Sequence, residues 1–192
     1  MKSSITKLND VTFPEYTGER VYMTKFTKAS GLPSQLKRWQ STIDAMLEKI
    51  DIKHEPIFIM IDQARVKAGT THRRPGIHID GIWVPGDNTK DNIGMHSTRD
   101  GHKINGVAQN EDQALVLASN VRGCAAYLGE YHDQPQQDGS FTNINVSNLD
   151  KIELSPYSAW VGSAMTTLHE SIPVPYDSYR TLVRLNICDW MP

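Results

Sequence analysis

Between residues 34 and 50 the apolar positions fall at Leu36, Trp39, Ile43, Met46, Leu47 and Ile50, with polar residues between them. Steps of three and four put these side chains on one face, so the pattern predicts one long amphipathic helix over 34–50. Pro33 or Ser34 supplies a start signal, and a scaffold helix packed on a sheet is its expected role. Ahead of it, 11–13 and 20–26 read as strands separated by Glu15-Tyr16-Thr17-Gly18. Beyond residue 55 the pattern changes. Short runs rich in Ile, Val, Tyr and Thr alternate with clusters of Gly, Pro, Asn and Asp. Strands are expected at 57–61, 76–84, 114–119, 124–130, 141–146, 158–168 and 180–187, with turns at 85–88, 138–139 and 173–176. Many short strands with such turns predict a mainly β chain, a sandwich or barrel, with helix only near the N-terminus. The stretch 86–113 is polar and Gly-rich with no period, and its length suggests a functional loop or lid.

The chain has 192 residues, of which 39% are hydrophobic and 22% charged, which fits one globular domain. No repeat, low-complexity segment or linker divides it. A net charge of −2 supplies no strong field toward a polyanion. A nucleic-acid partner is therefore possible but not indicated. Cys124 and Cys188 are too few for a disulfide framework or a cysteine-type zinc site, and read as reduced thiols. The first residues form no apolar leader, and no run approaches the roughly 18 apolar residues of a membrane span. The expectation is a soluble, cytoplasmic protein without membrane contact. Neither a phosphate-cradling glycine loop nor a nucleophile elbow is present in the sequence.

Candidate chemistry begins at Gly76-Ile77-His78-Ile79-Asp80-Gly81. On a strand, His78 and Asp80 point to one face and the isoleucines to the other, which delivers an imidazole and a carboxylate side by side. A half-buried strand with isoleucines inward and His and Asp toward water gives the same pattern. His169 follows the apolar, Thr-rich run 160–168. On the last strand Arg180, Leu182, Arg184 and Asn186 share a face. Two guanidinium groups aimed the same way are costly to bury without anions, and a dicarboxylate would satisfy them through bidentate pairing.

His-x-Asp, a long gap, His, and then Arg resembles the Fe(II)/2-oxoglutarate-dependent dioxygenases over roughly residues 57–190. The resemblance implies a double-stranded β-helix, or jelly roll, in a single domain spanning 1–192. Residues 1–55 would be an N-terminal strand and helix scaffold, and 56–192 the jelly-roll core. It implies an enzyme in which His78, Asp80 and His169 hold catalytic Fe(II) as a facial triad. Arg180 would pair with the distal carboxylate of 2-oxoglutarate, as in the taurine-dioxygenase-like branch. Arg184 would serve the near carboxylate or the substrate. The alternative, with Arg184 and Asn186 holding the co-substrate, is similar to the nucleic-acid-demethylating branch. O₂ would be consumed, succinate and CO₂ released, and a small-molecule or side-chain substrate oxidised. A carboxylate at Asp80 favours hydroxylation over the halogenation chemistry of relatives that carry a small residue there. No Tyr-x-Asn element precedes the first ligand, so further co-substrate contacts stay unassigned. A β-sandwich binding protein and a cupin-like metalloprotein are the competing readings.

Other residues weigh less. His72-Arg73-Arg74 could meet an anionic substrate or form a solvated charged turn. His54 and His132 read as surface, and His96 and His102 fit no metal signature. Trp83 reads as core. Tyr127 and Tyr131 could approach the co-substrate or simply pack in a sheet.

Overall fold

A computed structural model describes residues 1–52, 56–85, 94–97, 102–104, 107–109, 113–136 and 138–188; the strands between 82 and 109 are described by their backbone alone. The first strands are β1 (Lys2–Ser3), β2 (Ile5–Asp10) and β3 (Arg20–Phe26). A 3-10 turn, Ser34–Trp39, then leads into α1 (Gln40–Leu47). The strands β4 (Ile57–Val66), β5 (Ile82–Pro85), β6 (Gly94–Ser97), β7 (His102–Ile104) and β8 (Val107–Gln109) follow. The last six are β9 (Ala114–Ser119), β10 (Cys124–Glu130), β11 (Asp150–Glu153), β12 (Ser158–Ser163), β13 (Leu168–Ser171) and β14 (Ser178–Ile187).

The chain is mainly β, and its strands form two antiparallel sheets besides the β5–β6 and β7–β8 pairs. A six-stranded sheet has the order β2-β12-β9-β14-β4-β3. In the smaller sheet β10 pairs with β1, β11 and β13. His78 extends that sheet by bridging to His169 on one side and to Ser140 on the other. From β4 onward the chain alternates between sheets: β4, then His78, β9, then β10 and β11, β12, then β13, β14.

Strand periodicity sorts the six-stranded sheet into two faces. Ile57, Ile59, Ile61, Val116, Val183 and Leu185 pack with Trp39, Ile43 and Met46 beneath the helix. Phe58, Met60, Leu115, Leu117 and Leu182 face the other way, where Leu115 and Leu117 meet Ala126 of β10. The candidate residues of β14 lie on this second face, between the sheets. β4 and β14 pair along their whole lengths, from Ser178 opposite Val66 to Ile187 opposite Ile57, so the centre of that face is a rigid platform.

Several predicted elements take a different form. The helix begins as a 3-10 turn, and residues 11–13 lie outside any strand. The run 76–84 is broken by Gly81, whose φ of 69° lies in the left-handed region. Residues 141–146 form no strand, although Phe141, Ile144 and Val146 pack on buried Ile79, Tyr127 and Leu168. The run 158–168 is two strands of different sheets. Ser163 Oγ accepts the N–H groups of Met165 (3.1 Å) and Thr166 (3.2 Å), and this turn ends β12 and launches β13. Of the proposed lid, 86–113, the backbone of β6, β7 and β8 and the buried Gln113 are described; the rest, like His54, lies outside the described residues. No helix among the described residues is long and apolar enough to cross a membrane.

Candidate metal centre

His78 and His169 come together through backbone pairing. The His78 N–H donates to the His169 carbonyl at 2.9 Å, and the His169 N–H donates to the His78 carbonyl at 3.0 Å. This is the hydrogen-bonded pair of an antiparallel ladder, whose side chains share a face. The ring centroids are 4.4 Å apart. Asp80, two residues along, returns to the same face. Gly81 then turns the chain away, with its N–H bonded to the Ala164 carbonyl at 2.9 Å. One ligand atom from each of His78, Asp80 and His169 lies within 4.8 Å of the others.

Both histidines are tied from behind. His78 Nδ1 lies 2.8 Å from the Gly76 carbonyl and His169 Nδ1 lies 3.0 Å from the Thr167 carbonyl. A carbonyl can only accept, so Nδ1 carries a proton in each ring, and in the neutral ring this leaves the Nε2 lone pair for a metal. Burial, and then the neighbouring His169 ring, holds the His78 pKa down to about 4, while Asp80 pulls the other way. His78 is therefore neutral at physiological pH, the form that ligates a metal. Asp80 is buried, and its Oδ1 accepts a hydrogen bond from Arg184 Nη1 at 3.0 Å. The donor set of two imidazoles and one carboxylate on one side of a shared point fits a divalent ion with open positions.

A cavity of about 250 Å³ opens beside these residues, lined also by Met60, Arg73, Leu117, Cys124, Leu182 and Arg184. Arg184 is thus at the centre. Arg180 does not line the cavity, but it is bonded to a residue that does. It is fully buried, with Nη2 3.1 Å from Cys124 Sγ and Nε 3.1 Å from Ser119 Oγ. Its Nη1 has no partner among the described residues. Gly123 backs this guanidinium so closely that a Cβ there would sit 2.7 Å from Cζ. A buried cation without an anionic partner is a costly arrangement that a carboxylate ligand would relieve. Asn186 is likewise buried on this face, with neither amide atom partnered among the described residues.

The remaining sequence candidates divide. Tyr127 donates to Glu170 Oε1 at 2.6 Å, and Glu170 also accepts from Lys151 at 2.7 Å. Burial and that carboxylate raise the Tyr127 pKa. Tyr131 donates to the Thr166 carbonyl at 3.1 Å, and burial pushes it to about 12. Both hold the small sheet together. His132 is exposed, and the side chains of Trp83, His96 and His102 lie outside the described residues. The solvated-turn reading of His72 is corrected: its side chain is 3% exposed, packed 3.4 Å from Asp62. Sequence reasoning missed Met60 and Cys124 as cavity residues because their strands face neighbours distant in sequence, and Asp138 because it reads only as a turn residue. No protein-family model matches the chain, and no curated protein does.

Proposed function

We propose that this protein is a non-haem Fe(II)- and 2-oxoglutarate-dependent oxygenase that hydroxylates or otherwise oxidises a small-molecule or side-chain substrate. The observation that carries this reading is the convergence of His78, Asp80 and His169, with both Nε2 atoms left to face a common point. The alternation of strands between two sheets supports a jelly roll, the architecture in which such ligands project between the sheets. A binding sandwich with surface His and Asp would leave these groups in water; here Asp80 and His169 are buried.

His78, Asp80 and His169 would hold the iron, which when bound with 2-oxoglutarate and O₂ supplies the oxidising power. The chain supplies position. Arg184 fixes the Asp80 carboxylate through its 3.0 Å bond, as outer-shell partners do at metal sites. Arg180 would receive the far carboxylate of the keto acid, with Ser119 and Gly123 holding its guanidinium in place. Met60, Leu117 and Leu182 give the cavity an apolar wall, which would limit water around a bound co-substrate. The test is succinate formation from 2-oxoglutarate under air. Fe(II)-dependent succinate is expected from the parent protein and none from His169→Ala or Arg180→Gln. Equal succinate from parent and variants would reject the assignment.

A further inference from the structure

A second cavity, of about 200 Å³, adjoins the first and shares Met60 and Arg73 with it. Its other lining residues include Arg20, Tyr22 and Asp62. Asp62 is 5% exposed and lies on the inner face of β4, two residues beyond Met60. Around its carboxylate gather Arg20 Nε at 3.1 Å, Arg73 Nη1 at 2.8 Å and His72 Nε2 at 3.4 Å. Two guanidinium groups share one carboxylate, which leaves one positive charge in excess before His72 is counted. Arg73 spends one N–H on a hydrogen bond to Asp62 Oδ2, Arg20 meets Oδ1 as an ion pair only, and neither guanidinium makes another side-chain bond among the described residues. A guanidinium has five donors. Asp62 therefore orients two forks at the wall of a cavity and leaves most of their donors unused.

Asp62 also draws the forks together. Burial works against its charge, yet the contacts with His72 and Arg73 outweigh it and hold its pKa to about 2. The carboxylate is ionised throughout the physiological range, so Arg73 is held to it by a charge-assisted hydrogen bond and Arg20 rests beside it as an ion pair. Forks placed in this way suit a phosphate or carboxylate, which they can meet with parallel N–H bonds.

We propose that the cleft between Arg20 and Arg73 seats an oxyanion head group, phosphate or carboxylate, of the substrate, whose other end passes Met60 into the metal cavity. Calling the ligand a substrate rests on the oxygenase reading; the anion site itself does not. The test is calorimetry on the metal-free protein with phenyl phosphate and phenylacetate as probes. At least one probe should bind, more weakly as salt rises. Its Kd should increase at least tenfold in Arg73→Gln and in Arg20→Gln, and less in Arg73→Lys, which keeps the charge and loses the fork. Arg20 is 72% exposed, so its variant keeps the fold. Both variants should bind Mn(II) as the parent does. Binding of phenyl phosphate alone assigns a phosphate head, and of phenylacetate alone a carboxylate. No binding of either probe, or parental affinity in both glutamine variants, overturns the site. His78→Ala should keep the probe affinity. If the probes behave as stated while neither parent nor variant binds a divalent metal, the oxygenase reading fails and the anion site stands.

Discussion

At the residue scale, each candidate ligand is held by a bond that can be cut separately. Arg184→Gln removes the charged donor to Asp80, and metal affinity should fall roughly 10- to 100-fold, as for other outer-shell losses. Equilibrium dialysis against Mn(II) measures this directly. Gly123→Ala tests the role of Arg180, which sits behind the cavity wall on Cys124. Its Cβ would stand 2.7 Å from Arg180 Cζ and displace the guanidinium. The Kd for 2-oxoglutarate should rise at least about tenfold, near 1.4 kcal/mol, with Mn(II) affinity unchanged. Asp62 gives a pH effect with a definite sign. Its folded pKa, about 2, lies below the ordinary 3.8, so its stabilisation is present above pH 3.8 and is lost as pH falls toward 2. That contribution is on the order of 2 kcal/mol. In Asp62→Asn the dependence of urea stability on pH should flatten between pH 4 and 2.

At the element scale, the site depends on two strand breaks. Gly81 turns the chain after Asp80, and the Ser163 turn moves it from β12 to β13, which delivers His169 opposite His78. Gly162 lets Thr167 close that second turn, since a Cβ there would meet Thr167 Oγ1 at 2.4 Å and the Ser4 carbonyl at 2.6 Å. Gly162→Ala should therefore cost about 1–3 kcal/mol in urea unfolding through overpacking. These breaks are what the sequence concealed. The run 158–168 is apolar across its turn, so periodicity reads it as one strand. Phe141, Ile144 and Val146 carry a strand-like pattern but cover the small sheet as a loop. β11, Asp150–Glu153, is mostly polar because it lies at an edge, and so was invisible to an apolar-run criterion. What was legible came from period-two logic: the common face of His78 and Asp80, and that of Arg180 and Arg184. Cavity walls such as Cys124 were not, because they depend on pairings between remote strands.

At the scale of the whole molecule, the six-stranded sheet is a platform. It is covered on one face by the helix and carries Arg180 and Arg184 on the other, while the smaller sheet contributes the histidines. Metal and keto acid bound as proposed would together bridge the two sheets, so they should stabilise the entire fold. At a hundred times Kd the linkage is about 2.7 kcal/mol. At roughly 2–4 °C per kcal/mol this is a rise in Tm of about 5–10 °C, absent in His169→Ala. The most direct measurement is anaerobic titration with Fe(II) and then 2-oxoglutarate, followed by visible absorption. The expected result is one iron per chain and a weak charge-transfer band that disappears in His78→Ala and His169→Ala. Iron binding and a band that persist unchanged in both variants would contradict a centre built from these three side chains.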